Sequence, residues 1–180
     1  TLCAAIGLYM LFADSERGSE IYSAAGDRAQ AGIVFEIAKQ MILNNDELTS
    51  RAKVFRNSIT NESKGNFYQA ISSDSKTKHG FNANCIIFDE LHTQPNRDLW
   101  DTLLTSTGSR RQPLCIAITT AGYDRQSICY EVYDYAKKVK DGVIEDETFY
   151  SAIYEAEPDD DITDEEVWKK SNPNYGISLR

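Results

Sequence analysis

Cys85-Ile86-Ile87-Phe88-Asp89-Glu90 is a short apolar run that ends in two adjacent carboxylates. A run of this kind reads as a strand buried on both faces, as in parallel sheets covered by helices. In such sheets ligands gather at the carboxyl ends of the strands, which is where Asp89 and Glu90 emerge. The pair has the form of a Walker B strand. Asp89 would hold the Mg²⁺ that accompanies ATP, directly or through water. Glu90 would accept a hydrogen bond from the attacking water and orient it toward the γ-phosphate. The same residues also suit a strand that merely meets a solvated turn, so the pattern needs support from the rest of the chain.

That support lies downstream. Leu114-Cys115-Ile116-Ala117-Ile118 reads as a second buried strand and ends in Thr119-Thr120-Ala121-Gly122, about thirty residues after the acidic pair. Hydroxyl residues at the end of a neighbouring strand can sense a γ-phosphate through hydrogen bonds, and the glycine lets the backbone turn tightly beside the site. Upstream, Thr1-Leu2-Cys3-Ala4-Ala5-Ile6-Gly7-Leu8-Tyr9-Met10-Leu11 is an apolar helical run with no strand before it. It has no basic leader or cleavage site for a signal peptide, and it is shorter than the roughly eighteen residues a membrane span needs. A helix following a phosphate loop fits better, with Thr1 at the edge of that loop. No Gly-Lys-Ser or Gly-Lys-Thr occurs among the 180 residues, so the loop itself is absent from this sequence.

Between these landmarks strands alternate with helices, the pattern of an α/β sheet with helices on its faces. A strand is expected at about Glu20–Ala24. Asp27 then caps a helix, with Gln30 placed to reach back as in a capping box, and Ala31, Val34, Phe35, Ala38 and Ile42 form its apolar face. Residues 52–73 read as an inserted β-ribbon or edge extension, with Asn61–Asn66 as the hairpin connection. Leu99, Trp100, Leu103 and Leu104 mark one further helix, and Ile128, Val132, Tyr135, Ala136 and Val139 another. A last strand is expected at about Phe149–Glu155. After it, Glu157-Pro158-Asp159-Asp160-Asp161 lacks the glycine and ligand spacing of a calcium loop and reads as a linker. Thr163 and Glu166 read as a capping box for a short helix before the Asn172-Pro173 turn.

Composition fits a soluble domain with a core: 41% of the 180 residues are hydrophobic and 26% charged. The net charge of −9 argues against DNA binding by overall charge. Any contact with DNA falls to local basic stretches, Lys76-Thr77-Lys78-His79 or Arg110-Arg111, or to other parts of the polypeptide. Cys3, Cys85, Cys115 and Cys129 are widely spaced, with no CxxC and only His79 and His92 beside them. They read as small buried hydrophobes and reduced thiols, not a zinc framework.

Taken together, Thr1-Leu2-Cys3-Ala4-Ala5, Glu20 to Ala25 with Asp27 to Ala31, Ile86 to His92, Thr119-Thr120-Ala121-Gly122, and Trp168 to Pro173 resemble the ATPase domain of the large terminase subunit of tailed bacteriophages. The resemblance extends over nearly the whole chain. It implies a mostly parallel sheet flanked by helices, an ASCE-type, RecA-like P-loop NTPase core lacking its first strand and P-loop and carrying a β-hairpin insertion. Residues 1–157 would be a partial ATPase domain, and 158–180 a hinge toward a nuclease domain. Asp89 would serve Mg²⁺ and Glu90 catalysis, and Thr119, Thr120, Ala121 and Gly122 would sense and couple. Lys76 or Lys78 would stand where the family places an arginine finger, although lysine lacks the planar fork that spans two phosphate oxygens. The parent protein would hydrolyse ATP to drive double-stranded DNA into procapsids. Its partners would be the portal protein, the small terminase subunit and further copies of itself in a ring, in the host bacterial cytoplasm and away from membranes. The segment alone, without the loop's amides and lysine, would be catalytically silent, and loss of a strand would leave sheet edges open to self-association. Two other readings remain. Asp89-Glu90-Leu91-His92 is also the pattern of a DExH helicase, and the chain could be a non-enzymatic interaction module whose carboxylates simply end a strand.

Overall fold

The structure, a computed structural model, describes residues 1–73 and 80–178. Among the described residues the main elements follow in the order α1 (Leu2–Phe12), β1 (Glu20–Ala25), α2 (Arg28–Leu43), α3 (Asp46–Arg51), β2 (Lys53–Val54), β3 (Ser58–Asn61), β4 (Asn66–Ser72), β5 (Ala83–Asp89), α4 (Asp98–Ser106), β6 (Leu114–Ile118), α5 (Ile128–Lys140) and α6 (Glu165–Ser171). The strands form one sheet in the order β2-β3-β4-β1-β5-β6. β4, β1, β5 and β6 run parallel to one another, and β2, β3 and β4 form an antiparallel meander at one side.

Alternate residues of the central strands feed two cores, as the pleat requires. Ile21, Tyr68, Cys85 and Ile87 pack with Leu8, Leu11, Val34, Phe35 and Ala38 of α1 and α2. Tyr22, Ala24, Ile71, Ile86 and Phe88 pack on the opposite face with Leu99 and Leu103 of α4 and Ile128 and Cys129 of α5. Burial on both faces is why β5 is apolar without interruption from Cys85 to Phe88. It also pushes the Cys85 thiol up to about 12, leaving it an inert core group. Of the four cysteines, Cys85 and Cys129 are buried as expected, Cys3 is half-buried and Cys115 is exposed.

Residues 52–73 form the edge extension, one of the two placements expected, with β4 beside β1 and Ile21 opposite Tyr68. Other local expectations change. Asn61 and Asn66 of the hairpin both donate to the Leu11 carbonyl, which is otherwise an orphan acceptor in the last turn of α1. β6 is apolar yet exposed: among the described residues it pairs only with β5, and Leu114 and Ile118 are 37% and 41% accessible. Residues 149–155 join no ladder among the described residues, although their burial alternates as in a strand. A strand needs a partner for its backbone groups, and the pattern alone does not supply one. The cap of α6 is Asp164, whose side chain accepts from the Glu166 amide, while Thr163 turns back to Asp161. The Arg110 guanidinium, only 6% exposed, donates to the carbonyls of Gly18 and Asn82 and pairs with Glu16, so it ties loops together instead of facing DNA. The chain divides into two compact units, Thr1–Tyr133 and Asp134–Arg180. No helix among the described residues is long and apolar enough to cross a membrane.

Candidate active site

The carboxyl ends of β1, β5 and β6 meet because the three strands are in parallel register, Ala24 opposite Phe88 and Ile118 opposite Asp89. Asp89 is the last residue of β5 and is half-buried. Its Oδ2 accepts a hydrogen bond of 2.8 Å from Gln30 Nε2 in the first turn of α2. The expected capping box is therefore only half present. Asp27 caps α2 by accepting from the Ala29 and Gln30 amides, but Gln30 reaches across to Asp89 and not back to residue 27. The first turn of α1 also lies close by. Burial raises the Cys3 thiol, and the Asp89 carboxylate adds to the rise.

Glu90 follows in the left-handed region, with φ 51° and ψ 59°. It is the one residue other than glycine at positive φ among the described residues. A side chain there costs about 1 kcal/mol or more and persists where surrounding contacts dictate it. Those contacts are visible. The Thr93 amide and hydroxyl both donate to the Glu90 carbonyl, at 2.9 and 2.8 Å. The turn they close is pressed against Gly26, where a Cβ would lie 2.4 Å from the Thr93 carbonyl oxygen.

This backbone twist carries the Glu90 side chain away from Asp89 toward β6. Glu90 Oε2 lies 3.1 Å from His92 Nδ1 and 3.4 Å from both the amide and hydroxyl of Thr120. The Thr119 hydroxyl accepts from the His92 amide at 3.1 Å and lies 3.0 Å from His92 Nδ1. Gly122 makes room for this approach, since a Cβ there would sit 3.1 Å from His92 Cβ. The structure thus brings together Asp89, Glu90, Thr119, Thr120 and Gly122. It adds Gln30, which the sequence placed only in a cap, and His92, which the sequence tied to the site only through the DExH pattern. A glutamine three residues after a cap has an ordinary local explanation, and only the β1–β5 register shows its second one. Lys76 and Lys78 lie outside the described residues.

Chemically, the cluster offers one oriented carboxylate, a second carboxylate beside backbone and hydroxyl donors, and a histidine between the two strand ends. No group of three or more His, Cys, Asp or Glu side chains among the described residues could cage a metal ion. Asp89 could contribute a single carboxylate ligand to a hydrated cation such as Mg²⁺, which takes most of its ligands from phosphates and water.

Residues 1–138 match the family described as terminase large subunit, ATPase domain. The terminase large subunit of Enterobacteria phage HK97 is 31% identical over 171 residues, which is 91% of this chain and 32% of that protein. Protein YmfN of Escherichia coli K12 is 38% identical over 100 residues, 56% of this chain and 22% of the relative. The chain therefore spans about a third or less of the length of these two relatives. The crystal structure of the HK97 large terminase superimposes with a TM-score of 0.82 at 28% identity, covering 99% of this chain and 37% of that one. The ATPase domain of the Thermus phage P74-26 large terminase shares the fold at a TM-score of 0.54 and 18% identity, covering 67% of this chain and 55% of that one. With the family matched over residues 1–138 and the HK97 protein 31% identical across 91% of the chain, the chain belongs to the terminase large subunit ATPase domain family.

Proposed function

We propose that this chain is part of the ATPase motor of a phage or prophage terminase large subunit, which hydrolyses ATP to move double-stranded DNA into procapsids. The observation that carries the reading is the placement of Glu90 Oε2 within 3.4 Å of the Thr120 amide and hydroxyl, one residue after Asp89. A base and a phosphate-sensing loop within reach of each other are what in-line attack on a γ-phosphate requires. Asp89, with Oδ2 held by Gln30, would keep Mg²⁺ beside the β- and γ-phosphates, and the ion would neutralise charge that develops there. Glu90 would accept the proton of the attacking water, and Thr119 and Thr120 would report the presence of the γ-phosphate to β6 and α5.

The core is of the ASCE P-loop type, and a strand bearing the phosphate loop pairs with the open edge of β6. Support comes from that edge, Leu-Cys-Ile-Ala-Ile with Leu114 and Ile118 exposed, and from an α1 whose first turn lies near Asp89. The segment from 158 onward is a hinge toward a nuclease domain. In the full protein the partners are DNA, the portal, the small subunit and neighbouring copies in a ring, in the host cytoplasm. Lys76 or Lys78 is the candidate basic residue acting on a neighbour's nucleotide.

The test is ATP turnover by the full-length gene product with Mg²⁺ and linear DNA, compared with Glu90→Gln. The variant keeps the side chain's shape and loses the base, so turnover is expected to fall by a hundredfold or more, on the order of a general base's contribution. Equal turnover in both proteins would sink the assignment of Glu90. The 180-residue chain by itself is expected to show none, for want of a phosphate loop.

A further inference from the structure

Gln30 is joined to Asp89 across 59 residues of chain, and three independent features bring it there. The register of Ala24 with Phe88 puts the end of β1 beside the end of β5. The contact of Gly26 with Thr93 closes the turn after β1 onto the turn after β5. The Asp27 cap starts α2 at once, so that Gln30, one turn in, overhangs Asp89. The amide's orientation is chemically determined, because an ionised carboxylate only accepts and must meet the NH₂ end. No other bond to the Asp89 side chain occurs among the described residues, so the amide fixes Oδ2 and leaves Oδ1 available.

We propose that Gln30 is a positioning residue for Asp89: its amide orients the carboxylate for a divalent cation without neutralising it. This rests on the reading of Asp89 as the magnesium-bearing carboxylate and assigns α2 a part in it. The choice of a neutral donor is the physical point. A lysine or arginine at position 30 would orient the carboxylate equally well but would compete with the cation for its charge, whereas an amide leaves the full negative charge in place. A partner that holds a ligating side chain in orientation typically affects metal affinity ten- to a hundredfold.

The experiment titrates Mn²⁺, as a paramagnetic substitute for Mg²⁺, into the full-length gene product saturated with ADP and follows free Mn²⁺ by electron paramagnetic resonance. Gln30→Met keeps length and helix preference and removes the donor. Its apparent Mn²⁺ affinity is expected to weaken about tenfold or more, while ADP binding measured in EDTA stays unchanged. Asn45→Ala, which removes the side-chain cap of α3, serves as a matched loss of stability and is expected to leave Mn²⁺ affinity alone. Weakening shared by both variants would make the role of Gln30 structural and overturn the proposal. Unchanged affinity in Gln30→Met alongside loss of Mn²⁺ in Asp89→Asn would overturn it too, and leave the site reading standing. Unchanged affinity in Asp89→Asn would remove both.

Discussion

Glu90 is where backbone conformation and chemistry meet in a single residue. Its left-handed backbone turns the carboxylate from β5 toward Thr120 and His92, a direction that an extended residue after Asp89 would not take. The conformation has a cost that glycine would not bear. Glu90→Gly is therefore expected to be more stable than Glu90→Ala by about 1 kcal/mol in urea unfolding, though neither retains the carboxylate. Equal stabilities would mean the left-handed conformation is not populated in solution. At this scale the sequence offered Asp89, Glu90 and the threonines as candidates, since residue type at a strand end is read directly, and in the structure their strand ends lie side by side. It hid Gln30 and the His92–Thr119 link. Those depend on which strand ends lie side by side, and spacing along the chain is silent about that.

Elements show the same division. The helical faces of α2, α4 and α5 were legible because burial on one side writes a period into the sequence, and the buried list of α2, Ala31, Val34, Phe35, Ala38 and Ile42, is the one its spacing gives. Strand environment was less so. An apolar run has the same composition whether a neighbour covers it or not, so β6 read as buried and residues 149–155 read as paired. Open apolar edges seek partners, and β6 is one. The 180-residue chain is accordingly expected to self-associate at high concentration in light scattering, and Leu114→Lys, at an exposed position on β6, to reduce that association. A monomer at every concentration in the unsubstituted chain would show that β6 is not a sticky edge.

For the molecule as a whole, the fold class was readable from alternation and from the run ending at Asp89, while the ribbon was left between an insertion and an edge extension. Its strands satisfy β-propensity wherever they lie, and only the pairing of β4 with β1 makes the hairpin part of the sheet. That mixed construction has a mechanical consequence. A pull along β1 and β5, attached at Glu20 and Asp89, loads a row of parallel hydrogen bonds together, so the pair resists in shear. A pull at Ser58 and Gln69, which face each other at the open end of the β3–β4 hairpin, breaks its bonds one after another, like a zipper. Single-molecule pulling should find the first attachment yielding at clearly higher force than the second, and equal forces would contradict this reading. A sheet built this way is stiff along the line that joins Glu90 to the body of the domain and compliant at its far margin, so tension delivered to the strand ends would be transmitted before it is absorbed.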